Sequence, residues 1–196
     1  MIAGSGQCTG FFLFCDIRGF SRWMAENQLE ARDLLDIYYT AAFRAFGERK
    51  ERTYHRRVAK LLGDGFFAVH EYDRADSRMF AAVLKALVAA VRSFTADFEA
   101  RLGDSTIHGK HRLKTSFGLA YGPAVRFAIP GYPLDYISHK INLASRYAGV
   151  AAEREVVFEA DLLEHMRSLP GANARLEQRE LKKMGQVDVG VYQVKL

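Results

Sequence analysis

Cysteine is scarce in this chain: 196 residues contain only Cys8 and Cys15. Two cysteines cannot build the disulfide framework of a small secreted protein. Cys15 sits inside an apolar run, where a buried thiol is the expected state. There is no CxxC pair and no HExxH motif, so the common zinc arrangements are excluded. The first ten residues, MIAGSGQCTG, lack a basic stretch leading into an apolar one, and no secretory signal is expected. The longest apolar segment, MFAAVLKALVAAV at 79–91, is short for a membrane span and carries Lys85. It predicts a buried amphipathic helix, and the expected location is cytoplasmic. Repeats, linkers and low-complexity runs are also lacking, so one domain over 1–196 is expected.

What is present is ordinary globular composition. Hydrophobic residues make up 49% and charged residues 26%, which argues for a packed core and against disorder. The net charge of +5 favours anionic partners, a class that spans nucleotides, nucleic acids and acidic surfaces. The densest basic patch, ERKERTYHRR at 48–57, also holds Glu48 and Glu51, unlike a nucleic-acid arm. The aromatic clusters FFLF and FFAV read as core rather than as exposed base-stacking platforms, so no nucleic-acid partner is expected.

Residues 10–17 read as a strand, and 20–47 follow a helical period that ends at Gly47. Strands at 56–62 and 66–70 are joined by the hairpin signal GDG. A second long helix is expected over 74–101. A strand pair at 112–120 and 124–129 would turn at YGP, and a third helix covers 136–149. A strand at 155–158, a helix at 159–168 and strands near 175–183 and 188–195 complete the order. This succession predicts an α+β fold: a ferredoxin-like βαββαβ core with extra C-terminal strands and a mostly antiparallel sheet. The loop GDSTIHGKH at 103–111 reads as its most flexible segment.

Two acids stand out. Asp16 ends the apolar run FFLFC, where the pattern still says buried, and Asp64 sits in the GDG turn. If their strands are neighbours, both carboxylates reach one end of the sheet. Two hard oxygen ligands with little else suit Mg²⁺ or Mn²⁺ held together with substrate phosphates. Each has a plainer reading: Asp16 as a cap for the following helix, Asp64 as an ordinary turn residue. Gly63 and Gly65 allow the backbone to approach a ligand closely.

Several segments together resemble one family. FCDIRGFSRW (14–23) and KLLGDGFFAV (60–69) resemble the two metal-binding motifs of class III nucleotidyl cyclases. GLAYGPAV (118–125) is similar to their glycine-containing β-hairpin, and DYISHKINLASRYAG (135–149) to their interface helix with its N-x-x-x-R signature. ELKKMGQVDVGVYQV (180–194) resembles their last strand pair. The likeness runs in order from about residue 10 to 195. It implies two divalent cations, Mn²⁺ or Mg²⁺, on Asp16 and Asp64. It further implies a ribose-orienting Asn142 and a transition-state arginine, Arg146, one helical turn apart. Lys60 and Asp135 match base-reading residues, and Lys182 or Lys183 a triphosphate-binding lysine. The family's site lies between two subunits arranged head to tail, so a homodimer with two sites is implied. The implied reaction turns a nucleoside triphosphate into a 3′,5′-cyclic nucleotide and pyrophosphate. A catalytically silent binding module would lack a metal aspartate or the arginine; this chain has them all.

The base stays open between two readings. Lys60 and Asp135 are what an adenylate cyclase shows. Ser138 and His139, followed by Lys140, depart from the family's helix motif. Tyr54, among the basic residues Arg52, His55, Arg56 and Arg57, is an aromatic that could narrow the pocket. No sensor, coiled-coil or membrane part is evident. A cyclase of this kind is similar to the pyrimidine cyclases of Pycsar antiphage systems, which implies UTP, then CTP, as substrate and a defence messenger as product.

Overall fold

The computed structural model describes residues 6–50, 54–72, 77–128, 134–171 and 173–195. The expected helix start at 74, the strand end at 129, Arg52 and Pro133 lie outside the described residues.

The apolar run is part of β1 (Gly6–Arg18), a 13-residue strand at the centre of a nine-stranded sheet. β1 lies between β4 (Gly65–Tyr72) and β5 (Lys114–Phe127), antiparallel to both. With β3 (Tyr54–Leu61) outside β4, the order β3-β4-β1-β5 is that of a ferredoxin-like core. The short β2 (Arg49–Lys50) extends this edge. Beyond β5 come β7 (Glu155–Glu159), β9 (Gly185–Gln193) and β8 (Arg175–Leu181), with β5·β7 the parallel pair; β6 (Asp135–Ile137) also pairs with β5. The mostly antiparallel α+β expectation holds.

Side chains alternate across a strand, so the sheet has two different faces. Phe11, Leu13, Cys15 and Ile17 of β1 enter the main core beneath α2 (Ala31–Phe46) and α3 (Ser77–Asp104). Phe12 lies on the other face with Phe67, Val69 and Ala120, where α4 (His139–Val150) packs through Ala144. By length and composition Met79–Asp104 could cross a membrane, and it runs well past the expected apolar segment. In this fold it buries Val83, Leu87, Val91, Phe94 and Phe98 in the main core.

Three expectations change. The first long helix is broken: α1 (Phe20–Glu26) stops at Asn27, whose side-chain amide donates to the Trp23 carbonyl (2.9 Å), and a 3-10 turn at Gln28–Glu30 precedes α2. The expected hairpin at YGP is instead one continuous strand, because β1 pairs with β5 along its whole length, from Gly6↔Arg126 to Arg18↔Lys114. The 103–111 loop is tied down: Trp23 Nε1 donates to the His108 carbonyl (2.6 Å), and the His108 amide donates to Glu30 (2.7 Å).

Candidate active site

Strand parity brings Asp16 to the face of Phe12 and Phe14, while Cys15 and Ile17 anchor its strand in the core opposite. Asp16 faces Gly65 across the β1–β4 ladder. Glycine is needed there, because a Cβ at Gly65 would stand 2.6 Å from the Cys15 carbonyl oxygen. The turn before it is held from several sides. Gly63 adopts a left-handed φ of 78°, Leu62 N–H donates to Gly65 O (2.8 Å), and the Tyr39 hydroxyl donates to Gly63 O. Ile17 N–H donates to the Asp64 carbonyl (3.0 Å), so the backbone of one acid is bonded to the residue after the other.

Both aspartates line a cleft of about 210 Å³ that α4 closes with Ser145, Ala148 and Gly149. Burial raises the Asp16 carboxyl above its ordinary pKa, and the neighbouring Asp64 charge raises it further; Arg18 and the Ile17 amide oppose this. A divalent cation beside Asp16 would relieve the cost of its buried charge. Among the described residues no third His, Cys, Asp or Glu joins them, so an ion here would take its remaining oxygens from phosphate and water. The donor set thus fits Mg²⁺ or Mn²⁺. Arg18, two residues beyond Asp16, donates to the Ala148 carbonyl and ties the strand to the end of α4. The period of two made it a neighbour of Asp16, but nothing in the sequence showed which carbonyl it would reach.

Lys60 and Asp135 do meet: Nζ lies 2.8 Å from Oδ2. Asp135 Oδ1 also accepts from the Tyr136 amide (2.8 Å). Burial pushes the Asp135 carboxyl up, but hydrogen bonds from Lys60 and the Tyr136 amide, with the charges of Lys60 and Arg57, outweigh it and hold the group below the ordinary value. Asn142 is exposed and Arg146 half-buried on α4, and neither lines the Asp16–Asp64 cleft. Lys182 is exposed in the turn between β8 and β9, and Lys183 beside it takes a left-handed φ of 67°.

Tyr54 is not brought to this group. Its ring is buried in the main core, and its hydroxyl pairs with His70 Nδ1 (2.8 Å). The cause is a β-bulge. Val58 faces Ala68 and Lys60 faces Phe67, leaving Ala59 as an extra residue that inverts the alternation. Of the two departures in the helix motif, Ser138 has structural work, and so has Lys140 after them. Ser138 caps α4 by accepting from Lys140 N–H (3.1 Å) and donates to Pro123 O (2.6 Å), and Lys140 forms an ion pair with Glu159.

Comparison with solved structures places this architecture. A guanylyl cyclase, Cya2, superposes with a TM-score of 0.72 at 18% identity, over 98% of this chain and 94% of that one. The adenylyl cyclase CyaB from P. aeruginosa gives 0.65 at 18% identity, over 99% and 97%. The guanylate cyclase domain of RhGC from Catenaria anguillulae, in complex with GTP, gives 0.63 at 14%, over 97% and 100%. No protein-family model and no curated protein matches the chain. The fold is that of class III adenylyl and guanylyl cyclase catalytic domains.

Proposed function

We propose that this chain, which has the cyclase catalytic-domain fold, is a nucleotidyl cyclase working as a homodimer. The observation that carries the reading is the pair of Asp16 and Asp64 at one cleft, fixed by their strands and turn, with the Asp16 carboxyl strained by burial and like charge. The ribose 3′-oxygen attacks the α-phosphorus and gives up its proton to solvent water. The new P–O3′ bond forms as the bond to the β-phosphate oxygen breaks, and pyrophosphate leaves with that electron pair. Bound at Asp16 and Asp64, two Mg²⁺ or Mn²⁺ ions would supply acidification of the 3′-hydroxyl and neutralisation of the phosphates. Arg146 meets charge developing at phosphorus, Asn142 orients the ribose, and Lys182 contacts the triphosphate. Asn142 and Arg146 do not line their own chain's cleft, which supports a site completed by a second copy.

Lys60 and Asp135 read the base. One donor and one acceptor serve uracil through O4 and N3–H, and also adenine through N1 and the 6-amino group. We favour UTP, with CTP next, and a product that acts as an antiphage messenger, on the resemblance to Pycsar pyrimidine cyclases. ATP is the second reading, favoured by the preformed Lys60–Asp135 pair. Neighbours on this fold have been solved with GTP and, after converted specificity, with ATPαS, so the fold itself leaves the base open.

The test incubates purified protein with Mn²⁺ and, separately, ATP, GTP, CTP or UTP, and identifies products by chromatography and mass. Cyclic UMP as main product is expected. Cyclic AMP alone would shift the reading to an adenylate cyclase, and no cyclic product from any tube would end the cyclase reading.

A further inference from the structure

The bulge that removes Tyr54 from the base site brings another residue into it. Residues three apart on a regular strand point to opposite faces. Here the extra Ala59 sets Arg57, opposite Val69, and Lys60, opposite Phe67, side by side on one face. Phe67 and Val69 belong to the α4 face of the sheet, away from α2 and α3. The Leu134–Asp135 segment crosses both cations. The Arg57 guanidinium donates to the Leu134 carbonyl (3.1 Å), and Lys60 Nζ is 2.8 Å from Asp135 Oδ2. The bond to Leu134 uses one N–H of a group that carries several. Arg57 also acts on the Asp135 charge, as one of the influences that hold its carboxyl low.

We propose that Arg57 is a third base-reading residue, which with Lys60 and Asp135 forms a donor–acceptor–donor set and selects uracil. This rests on the cyclase reading above. The pairing edge of uracil offers acceptor, donor and acceptor at O4, N3–H and O2, and so engages all three groups. Adenine satisfies only two of the three, its 6-amino group on the carboxylate and N1 on one cation, and leaves the other cation with no acceptor on the pairing edge. Cytosine turns the N3 acceptor toward a carboxylate. Guanine turns its 2-amino donor toward a cation. A buried polar group left unpaired by the wrong base is the strongest source of discrimination available to a pocket.

The experiment measures competition between 3′-deoxy-UTP and 3′-deoxy-ATP, which bind without cyclising, on the wild-type protein, Arg57→Met and Arg57→Gln, together with turnover of the four natural triphosphates. The wild type should hold the uridine analogue more tightly. Arg57→Met should narrow the UTP-to-ATP preference by at least about tenfold, and Arg57→Gln, which keeps a donor, should narrow it less. An equal loss for both nucleotides in each variant would overturn the proposal and leave Arg57 as a support for Leu134. Wild-type preference for ATP would overturn it while the cyclase reading stands. Absence of any cyclic product would overturn both. If Arg57→Met does not fold, the Arg57→Gln ratio decides: an unchanged UTP-to-ATP preference overturns the proposal.

Discussion

Gly118 lies so close beneath Ala144 that a Cβ on it would stand 2.0 Å from the Ala144 carbonyl oxygen and 2.2 Å from the Ala148 amide nitrogen. Both contacts are backbone, so no side chain can swing aside. Gly118→Ala must therefore lift α4, the helix that carries Asn142 and Arg146. Overpacking of this kind costs about 1–3 kcal/mol, a fall in Tm of roughly 3–10 °C for a chain of this size. Calorimetry gives that number. Cyclase activity, measured where the variant is still folded, should drop at least about tenfold, because transition-state groups tolerate little displacement. Unchanged Tm and turnover would mean that α4 is looser than its contacts imply.

A second prediction concerns acid stability. His70 is fully buried, and burial, with the Arg56 charge nearby, pushes its pKa down to about 3. The unfolded chain therefore binds a proton at His70 that the folded chain refuses. Stability from this group is fully present above about 6.5, the ordinary histidine value. It is lost as pH falls toward the folded value of about 3. Replacing both members of the pair, in Tyr54→Phe/His70→Phe, removes the titrating group without leaving its partner's hydroxyl buried. Urea unfolding between pH 7 and pH 4 should then show a flatter pH dependence than the parent. Parallel curves would show that the acid sensitivity lies elsewhere.

Where the sequence was readable, a strong local pattern coincided with the final environment. The FFLFC run ending in Asp16, the GDG turn and the N-x-x-x-R stretch read as the third helix each mark their element and carry a candidate site residue on it. The lost expectations were non-local. YGP carries every mark of a turn, yet the far half of β1 offers it a partner along the whole strand. The helix after β1 breaks because Asn27 bonds back to Trp23 and Glu30 is engaged by the distant His108. The bulge at Ala59 has no signature among VAKLL. It still decides that Tyr54 points into the core and that Arg57 joins Lys60. A single extra residue in a ladder inverts every parity argument beyond it.

Asp16→Asn separates metal binding from folding. In the metal-free protein the folded-state Asp16 pKa is raised, so the folded chain holds that proton more tightly than the unfolded one. Its contribution to stability therefore falls as pH rises from the ordinary value of 3.8 through the raised one. Above that window Asp16→Asn, which removes the like charge, should melt at a higher temperature than the parent in EDTA. Adding Mn²⁺ should raise the Tm of the parent, which binds the ion in its folded state, and leave the variant nearly unmoved. Turnover should vanish in the variant. An Asp16→Asn protein that is stabilised by Mn²⁺ as much as the parent would remove Asp16 from the metal site.

The division of labour between copies leads to a complementation test. Asp16 lines a cleft, whereas Arg146 on the same chain, half-buried on α4, does not line it. If the working site joins the cleft of one copy to the α4 face of the next, Asp16→Asn and Arg146→Ala should each be inactive alone. Mixed with subunit exchange, half of the dimers carry one variant of each kind. In such a dimer one site holds both lesions and the other holds none. Activity should recover to about a quarter of the wild-type level per total protein, as expected for a two-fold dimer with two shared sites. Native mass spectrometry follows the exchange, so a failure to mix is recognised directly. Full exchange with no recovered activity would place Asp16 and Arg146 in the same site of one chain, and the head-to-tail arrangement would have to be abandoned.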